Sequence, residues 1–505
     1  MMSQETILMT HSPTVVSDYD TFANTKHQLP YNKVEDVIDS ETFTVQQAID
    51  KLGFGRYQIK MTMLAGLCYM ADSMEIMMLS ILSPAIKCTF NLSGTQEALL
   101  ATAVFLGMGV MASAWGILSD KYGRRVTLLL FAVLTGYFGL LSALSPVYEW
   151  ILVNRFLVGC GLAATPQSMT YYSEFLPKKS RATSVMTIAL MWAAGSCLEV
   201  LLALLVIPSL GWRWLLAFSS VPLFIFAATY KLLPESPHYL VAHGQYQQAM
   251  ESLKRVAASN GRDLPRGKLT GPDIQKIDSG RLRDLFLPPY FKTTVLVSLV
   301  WFSCNVSYYG TALLTTALFE NDDGCHGYDS ASATGQDNTC TSFCQSMTSS
   351  DYIDLLITTA GDVPGILLAI LFLSKVGRKK VLCLLLLMYS VVMALCNICA
   401  PRMVLVVMLF VARAVINGAG QATYVYTAEV FPTCVRATGT GWCSAVARVG
   451  ILATPFLAQV LIQKSAYIPI SAYAVLGLVG AVAAISLPVE TRDQDMKTTI
   501  DDKGT

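Results

Sequence analysis

Residues 174–183 read Glu-Phe-Leu-Pro-Lys-Lys-Ser-Arg-Ala-Thr, and this stretch decides the fold because it occurs twice. Residues 429–438 read Glu-Val-Phe-Pro-Thr-Cys-Val-Arg-Ala-Thr, with the glutamate, proline and Arg-Ala-Thr at the same spacing. Upstream of each stretch an arginine, Arg155 or Arg413, precedes two glycines. Matched passages of this length indicate an internal duplication, so the sequence predicts two related halves.

The composition places both halves in a membrane. Hydrophobic residues make up 53% of the 505 residues, charged residues only 14%, and the mean hydropathy is +0.49. Soluble proteins carry roughly a quarter charged residues. Apolar runs long enough to cross a bilayer recur along the chain. We expect an all-α membrane protein of twelve transmembrane helices in two pseudo-symmetric six-helix bundles, with predicted spans at 60–82, 97–117, 126–145, 150–172, 185–207, 213–233, 293–319, 351–374, 381–399, 403–427, 441–462 and 468–487.

Basic residues in the loops orient these helices. Lysines and arginines cluster after the second, fourth and eighth predicted spans, whereas the loop 320–350 has none. The positive-inside rule therefore places the basic loops and both termini in the cytoplasm. No signal-peptide core precedes the first span. The expected domains are an N-terminal tail, a first bundle, a cytoplasmic linker with amphipathic helices, a second bundle and a C-terminal tail, at 1–58, 59–233, 234–292, 293–487 and 488–505.

Four cysteines and one asparagine fall in predicted outer loops. An oxidising compartment permits disulfides among these cysteines, and three pairings stay open; they are Cys88, Cys325, Cys340 and Cys344. We expect the other nine cysteines to be buried thiols. Asn91-Leu92-Ser93 is a glycosylation sequon, so Asn91 is a candidate glycosylation site.

Short motifs carry a resemblance to a known family. Gly116 and the run from Leu118 to Arg125 (Leu-Ser-Asp-Lys-Tyr-Gly-Arg-Arg) resemble the loop signature of the major facilitator superfamily. Pro234-Glu235-Ser236-Pro237 and Pro488-Val489-Glu490-Thr491 resemble markers of its branch of sugar porters and organic ion transporters. The runs 53–56, 70–75 and 424–430 resemble the narrower family of synaptic vesicle 2-related proteins.

The resemblance covers about Phe43 to Thr491, and it implies the superfamily's twelve-helix fold and a vesicle or plasma membrane location. The sequence departs from the family pattern at two places. Asp362 stands where a glutamate is expected, and the loop after the eighth span lacks the acidic residue of the signature. We therefore expect a less complete gate in the second half.

Ionisable residues inside predicted spans are the first candidate site residues, because each costs about 3 kcal/mol to insert. Asp72 and Glu75 lie three residues apart on one helix, an arrangement that suits a proton-coupling site or a cation site. The alternative is that both pair with arginines and lock the bundle. Glu199 and Asp362 add one acid in each half.

The candidate counter-charges are fewer. Arg413 and Arg448 lie deep in predicted spans, and Arg155 is expected to snorkel toward the outer surface. Acids then outnumber deep arginines, which favours an organic cation as the solute. Aromatic and amide side chains at similar depth either line the same path or simply pack between helices; they are Trp192, Trp301, Tyr308, Tyr309, Tyr424, Asn305, Gln167 and Gln421.

A second set of residues is expected to control conformation. Asp120 and Arg124 are predicted to pair across the cytoplasmic ends of the two halves. Glu174 with Arg181, and Glu429 with Arg436, are predicted as matching latches on the same side. The loop residues Gly116, Gly123 and Arg125 complete this predicted gate.

These observations favour a secondary transporter that moves a small organic solute by alternating access, with or without proton coupling. The alternative is a non-transporting vesicle protein that serves as a receptor or scaffold. The sequence has no phosphate-binding loop, metal-ligand cluster or nucleophile elbow, so we expect no enzyme and no cofactor. The expected partners are the solute, protons and the lipid bilayer, with no nucleic acid, and the expected state is a monomer.

Overall fold

The computed structural model describes residues 42–271, 282–288, 290–320 and 347–491. Three of the predicted disulfide cysteines, Cys325, Cys340 and Cys344, lie outside these residues. Within them nearly all regular structure is helical, and two short strands, β1 (Thr42–Phe43) and β2 (Lys268–Leu269), pair in parallel.

The first half is built from long helices that start after a short N-terminal helix, α1 (Val45–Leu52). Its fourth and sixth predicted spans are each divided into two helices. The helices are α2 (Arg56–Phe90), α3 (Gly94–Tyr122), α4 (Arg124–Ala143), α5 (Tyr148–Leu162), α6 (Thr165–Ser173), α7 (Lys178–Leu210), α8 (Trp212–Ser219) and α9 (Val221–Thr229).

The linker contributes α10 (Pro237–Ala242) and α11 (Tyr246–Asn260), and the second half repeats the plan of the first. Its helices are α12 (Phe291–Glu320), α13 (Ser349–Ala360), α14 (Asp362–Lys375), α15 (Arg378–Leu395), α16 (Arg402–Val430), α17 (Thr433–Pro455) and α18 (Tyr467–Ile485). A π-helical turn, Phe456–Val460, extends α17.

All twelve predicted spans fall on these helices. In the described part of the chain, nine helical stretches, some of them counted across a short break, are long and apolar enough to cross a membrane. Large apolar side chains such as Ile117, Val153 and Leu205 are mostly exposed on the outside of the bundles. Such a surface is suited to lipid and unsuited to water.

The duplication is visible in how the helices pack. In the first half, a Cβ added to Gly159 of α5 would lie 2.1 Å from the carbonyl oxygen of Val104 in α3. In the second half, a Cβ added to Gly365 of α14 would lie 2.0 Å from the carbonyl oxygen of Ala414 in α16. Both crossings therefore need glycine, because helices approach this closely only where no side chain intervenes.

The N-terminal helix and the linker form one small unit at the end of the first half. The apolar face of α11, with Ala249, Leu253 and Val256, is buried; Ala249 and Leu253 pack with Ala48 and Ile49 of α1. We call the end of the molecule that carries this unit the linker face, and the opposite end the distal face. Residues 261–271 include β2, which pairs with β1.

Two cysteines near the distal face are disulfide-bonded. One is Cys88, near the end of α2, and the other is Cys399, between α15 and α16. The expectation that Cys399 is a buried free thiol is therefore wrong. The described cysteines within or beside the spans, for example Cys68 and Cys304, are free thiols as expected.

Candidate functional site

A cavity of about 130 Å³ lies between the two halves, near the middle of the long helices. Six helices and the broken span of α5 and α6 supply its wall, so both halves contribute. Its lining residues are Tyr69, Asp72, Met108, Leu162, Thr165, Pro166, Trp192, Cys304, Asn305, Tyr308, Tyr309, Ile416, Asn417, Gly420, Gln421, Tyr424 and Arg448.

Asp72 is the acidic residue of this cavity. Its side chain, on α2, is 96% buried, since only 4% of the residue is exposed. The Oδ1 atom is buried and has no hydrogen-bond partner in the described residues. A buried carboxylate oxygen without a partner is costly, so Asp72 is placed to bind a group that enters the cavity.

Arg448, on α17, is the basic residue of the same cavity. It also lines an adjoining cavity of about 60 Å³ together with Trp301 and Asn305. Among the described residues, its guanidinium forms no ion pair, not even with Asp72. One acid from the first half and one base from the second half therefore face this space without neutralising each other at contact distance.

Aromatic rings surround these two charges. The rings of Tyr69 and Trp192 meet edge to face at 5.6 Å, and those of Tyr308 and Tyr309 at 5.5 Å. Tyr424 packs on Trp301 with ring centroids 4.5 Å apart. Such walls attract the cationic group of a ligand through their faces and its apolar part through contact.

A chain of hydrogen bonds joins the halves beside the cavity. Trp192 Nε1 donates to Tyr308 Oη at 2.7 Å, and Tyr308 Oη donates to Asp362 Oδ2 at 3.2 Å. Arg413 forms a buried ion pair with Asp362 at 2.9 Å and approaches Met77 of the first half. The Asp362–Arg413 pair is therefore connected to the cavity wall through the hydrogen bond from Tyr308, although neither Asp362 nor Arg413 lines the cavity.

The remaining predicted acids lie inside the first half. Glu75 pairs with Arg155 at 3.0 Å, and both side chains are almost fully buried. Arg155 does not snorkel: its Nε also donates to Ser142. Glu199 is fully buried, and both of its carboxylate oxygens lie 2.8 Å from Ser219 Oγ.

The structure therefore separates residues that the sequence grouped together. Asp72 and Glu75 do not share one site, and the four acids do not form one acidic cavity. Trp301 lies at the adjoining cavity, and Gln167 lies outside both. Tyr69, Thr165 and Met108 line the cavity but were not predicted as site residues.

Comparison with known proteins identifies the family. The model of the Major Facilitator Superfamily matches residues 65–334 and 345–503. The chain belongs to the major facilitator superfamily.

Curated relatives within the superfamily match nearly the whole chain. Synaptic vesicle 2-related protein of Xenopus laevis is 46% identical over 90% of this chain and 83% of its own length. The protein svop-1 of Caenorhabditis elegans is 42% identical over 91% and 88%. SVOPL of Homo sapiens is 35% identical over 91% and 94%. The predicted resemblance to synaptic vesicle 2-related proteins is confirmed.

A solved structure supports the superfamily fold. The xylose transporter XylE from E. coli, in a partially occluded inward-open conformation, aligns with a TM-score of 0.69. The alignment covers 87% of this chain and 99% of XylE at 18% identity. At this identity the likeness shows the fold, and the predicted fold class is confirmed.

The superfamily's loop signature forms a network at the linker face of the first half. Arg124 pairs with Glu174 at 3.2 Å and with Asp120, four residues earlier. The Glu235 carboxylate accepts the backbone N–H groups of Arg124 and Arg125 at the start of α4. Since all of these residues belong to the first half and its exit, the predicted Asp120–Arg124 link between the halves is wrong.

The second half contains the same network, although its loop lacks the acidic residue. Arg378 pairs with Glu429 through two hydrogen bonds of 3.0 and 3.1 Å. The Glu490 carboxylate accepts the backbone N–H groups of Arg378 and Lys379. Glu429 and Glu490 take the places of Glu174 and Glu235, and among the described residues no carboxylate takes the place of Asp120, so Arg378 has one acidic partner fewer than Arg124.

The predicted latches are replaced by these pairs. Arg181 donates to Gln46 of α1 and to the Leu176 carbonyl group, while Arg436 donates to the Phe431 carbonyl group. Glu174 and Glu429, the glutamates of the two repeated stretches, instead bind Arg124 and Arg378.

The structure requires glycine at some positions of the loop signature and not at others. Gly123 and Gly377 turn the chain with φ of 95° and 108°. A Cβ on Gly123 would also lie 2.4 Å from Glu235, whereas one on Gly116 would meet nothing within 4 Å. Conformation and space therefore require glycine at the turn and not at Gly116.

Direct contacts between the halves close the distal face. Lys87 of α2 binds Glu320 at the end of α12 at 3.2 Å, and Glu97 of α3 at 3.4 Å. Gln459 Nε2 donates to Ser83 Oγ at 3.0 Å, again between halves. Nearby, Asn91 is exposed in the turn between α2 and α3.

Several groups at the linker face have shifted pKa values, and two of them are His238 and Glu174. Burial, together with the positive charge of Arg181, lowers the pKa of His238 to about 4. Burial raises the pKa of Glu174, and its bonds to Ser236 and Arg124 oppose this shift. His238 is therefore neutral where it packs, and protonation would work against the linker contacts.

Proposed function

We propose that the protein moves a small organic solute across the membrane by alternating access, with the central cavity as the solute site. One observation carries the proposal: the unpartnered Oδ1 of Asp72 faces a cavity whose wall comes from both halves. When two pseudo-symmetric halves rock about such a site, the solute is exposed to each side in turn.

We propose further that proton uptake occurs beside the cavity, at the carboxylates of Glu75 and Glu199, with Arg155 as the fixed positive charge next to Glu75. Glu75 Oε1 and Arg155 Nη2 are buried without hydrogen-bond partners in the described residues. Glu199 is bonded by Ser219 and pairs with no cation in the same residues. A proton on one of these acids removes part of the cost of buried charge.

The linker face is proposed to be cytoplasmic. The basic loops with Lys178 and Arg378 lie on that face, which the positive-inside rule assigns to the cytoplasm. The disulfide-bonded Cys88 and Cys399 lie on the distal face, as expected for an oxidising lumen or exterior. The names of the curated relatives favour a vesicle membrane, with Asn91 on the lumenal side.

The test is uptake by the full chain in proteoliposomes, with and without an inward proton gradient, for a panel of labelled small solutes. Asp72→Asn is expected to abolish uptake of the transported solute. Glu75→Gln and Glu199→Gln are expected to retain binding and to lose the dependence on the gradient.

Two outcomes would contradict this proposal in different ways. If uptake is independent of the proton gradient in the unmodified protein as well as in both glutamate variants, the proposal of proton coupling is wrong. Solute binding without any uptake would favour the receptor or scaffold function instead.

A further inference from the structure

The charges of the central cavity form an unusual pair. Asp72 belongs to α2 of the first half and Arg448 to α17 of the second half, and both line the same space. In the described residues, no guanidinium nitrogen of Arg448 lies within 4.0 Å of a carboxylate oxygen of Asp72. The cavity therefore holds two separate, opposite charges rather than a neutralised pair.

The surroundings make this separation costly in the absence of a ligand. Asp72 is nearly fully buried, with one oxygen unpartnered. Among the other charged side chains deep in the two bundles, Glu75 pairs with Arg155 and Asp362 with Arg413, and Glu199 is hydrogen-bonded by Ser219. Because unpaired charge inside a membrane is retained mainly where it functions, the two cavity charges point to a ligand.

The solute's own charge decides how well it satisfies this cavity. A monocation would neutralise Asp72 and leave Arg448, and a monoanion would do the reverse. A neutral sugar would hydrogen-bond to Asp72 and Arg448 through its hydroxyl groups and would neutralise neither charge. Only a solute with a positive and a negative end neutralises both.

We infer that the solute is a small zwitterion, with a cationic nitrogen held by Asp72 and a carboxylate held by Arg448. This inference rests on the transport function proposed above and names the solute class of that same site. The rings of Tyr69 and Trp192 stand beside Asp72 in the cavity wall and suit an amine or an alkylated ammonium. The planar guanidinium of Arg448 suits a carboxylate.

The size of the cavity limits the solute. A volume of about 130 Å³ corresponds to roughly four water molecules at their liquid volume. This space fits a compact amino acid or betaine, with the adjoining 60 Å³ cavity beside Arg448 available to a slightly longer one. A zwitterion so bound would draw the two halves together, because each end is held by a different half.

The test is binding to the purified full chain, read as the rise in Tm with ligand concentration. The zwitterions are the ω-amino acids of two to six carbons and their N-trimethyl forms. Each is compared with the amine that lacks the carboxylate and with the acid that lacks the nitrogen, and xylose serves as the neutral probe. We expect at least one zwitterion to bind tenfold or more tightly than its two singly charged counterparts.

Two variants assign the ends. Asp72→Asn should remove the preference over the matched monoanion and keep the preference over the matched monocation. Arg448→Gln should show the opposite pattern. Asn91→Gln, at the distal surface, is the control that keeps both preferences.

Several results would overturn the inference. One is that no zwitterion binds; another is that a singly charged counterpart binds equally well. If xylose or a monocation binds and is taken up while the zwitterions are not, the inference fails and the transport function stands. If a zwitterion binds with the expected preferences and is never taken up, the inference stands and the transport function fails.

Discussion

Glu320→Gln is expected to shift the protein toward the state that is open at the distal face. Lys87 binds two carboxylates there, and only one of them belongs to the other half. Its contact with Glu97 joins α2 to α3 within the first half, whereas its contact with Glu320 joins the halves. Opening the distal face must break the Lys87–Glu320 contact and can keep the Lys87–Glu97 contact.

The size of the shift follows from the geometry. At 3.2 Å, two unit charges attract by about 5 kcal/mol at an effective dielectric constant of about 20. Desolvation and side-chain ordering offset most of this attraction, and a part-buried charged hydrogen bond retains about 1 to 2 kcal/mol. The ratio of distal-closed to distal-open molecules should therefore fall roughly 5- to 30-fold.

The assay is a distance measurement by electron paramagnetic resonance on the full chain in lipid. Spin labels carried by unnatural amino acids at Val147 and Ile468, both exposed, report on the distal face. Labels at Tyr122 and Val376 report on the linker face. In Glu320→Gln the distal distances should lengthen while the linker-face distances shorten.

Glu97→Gln is the matched control, since it removes the contact within one half and leaves Lys87 bound to Glu320. It should leave the distance distributions unchanged or shift them slightly toward closure. The reasoning is refuted if both variants open the distal face equally, or if Glu320→Gln changes neither pair of distances.

Two further predictions concern buried charge and pH. Arg155→Met leaves the Glu75 carboxylate uncompensated and should destabilise the fold by about 3 to 5 kcal/mol. In thermal unfolding, the double variant Arg155→Met/Glu75→Gln should recover much of the Tm that the single variant loses. A double variant with the same low Tm as Arg155→Met would contradict a direct pair. The opened linker takes up a proton at His238 below its ordinary pKa of 6.5, whereas in the packed linker burial and Arg181 lower the pKa to about 4. The linker contacts are therefore at full strength above pH 6.5 and weaken down to about pH 4, losing about 2 kcal/mol between pH 7 and pH 5. As the pH falls from 7 to 5, hydrogen exchange of residues 237–260 should become faster than the intrinsic pH dependence of exchange predicts. In His238→Gln this additional acceleration should be absent. If the variant shows the same additional acceleration, another group is responsible.

The sequence predicted the architecture because membrane helices follow from simple rules. Apolar runs gave the spans, and the repeated stretches at 174–183 and 429–438 gave the two halves. The same repetition also marked Glu174 and Glu429 as structural residues. It could not identify their partners, because Arg124 and Arg378 come from a different loop that only the folded bundle brings near.

The site was predicted in part. Asp72 and Glu75, three residues apart, point about 60° away from each other around a helix. That angle is enough for Asp72 to face the cavity while Glu75 faces Arg155 inside the first half. Which acids meet which arginines depends on helix rotation and tilt, and spacing along the chain does not determine either.

If the cavity between the halves carries the solute by alternating exposure, uptake must stop when the distal face cannot open. Ser83 and Gln459 touch across the closed distal face at 3.0 Å. In Ser83→Cys/Gln459→Cys, a short bis-methanethiosulfonate, which forms a reducible disulfide with each introduced cysteine, should hold that face shut. Uptake of the solute found by the binding panel should stop on cross-linking and return on reduction, while both single variants remain active. Continued uptake by the cross-linked double variant would contradict the account.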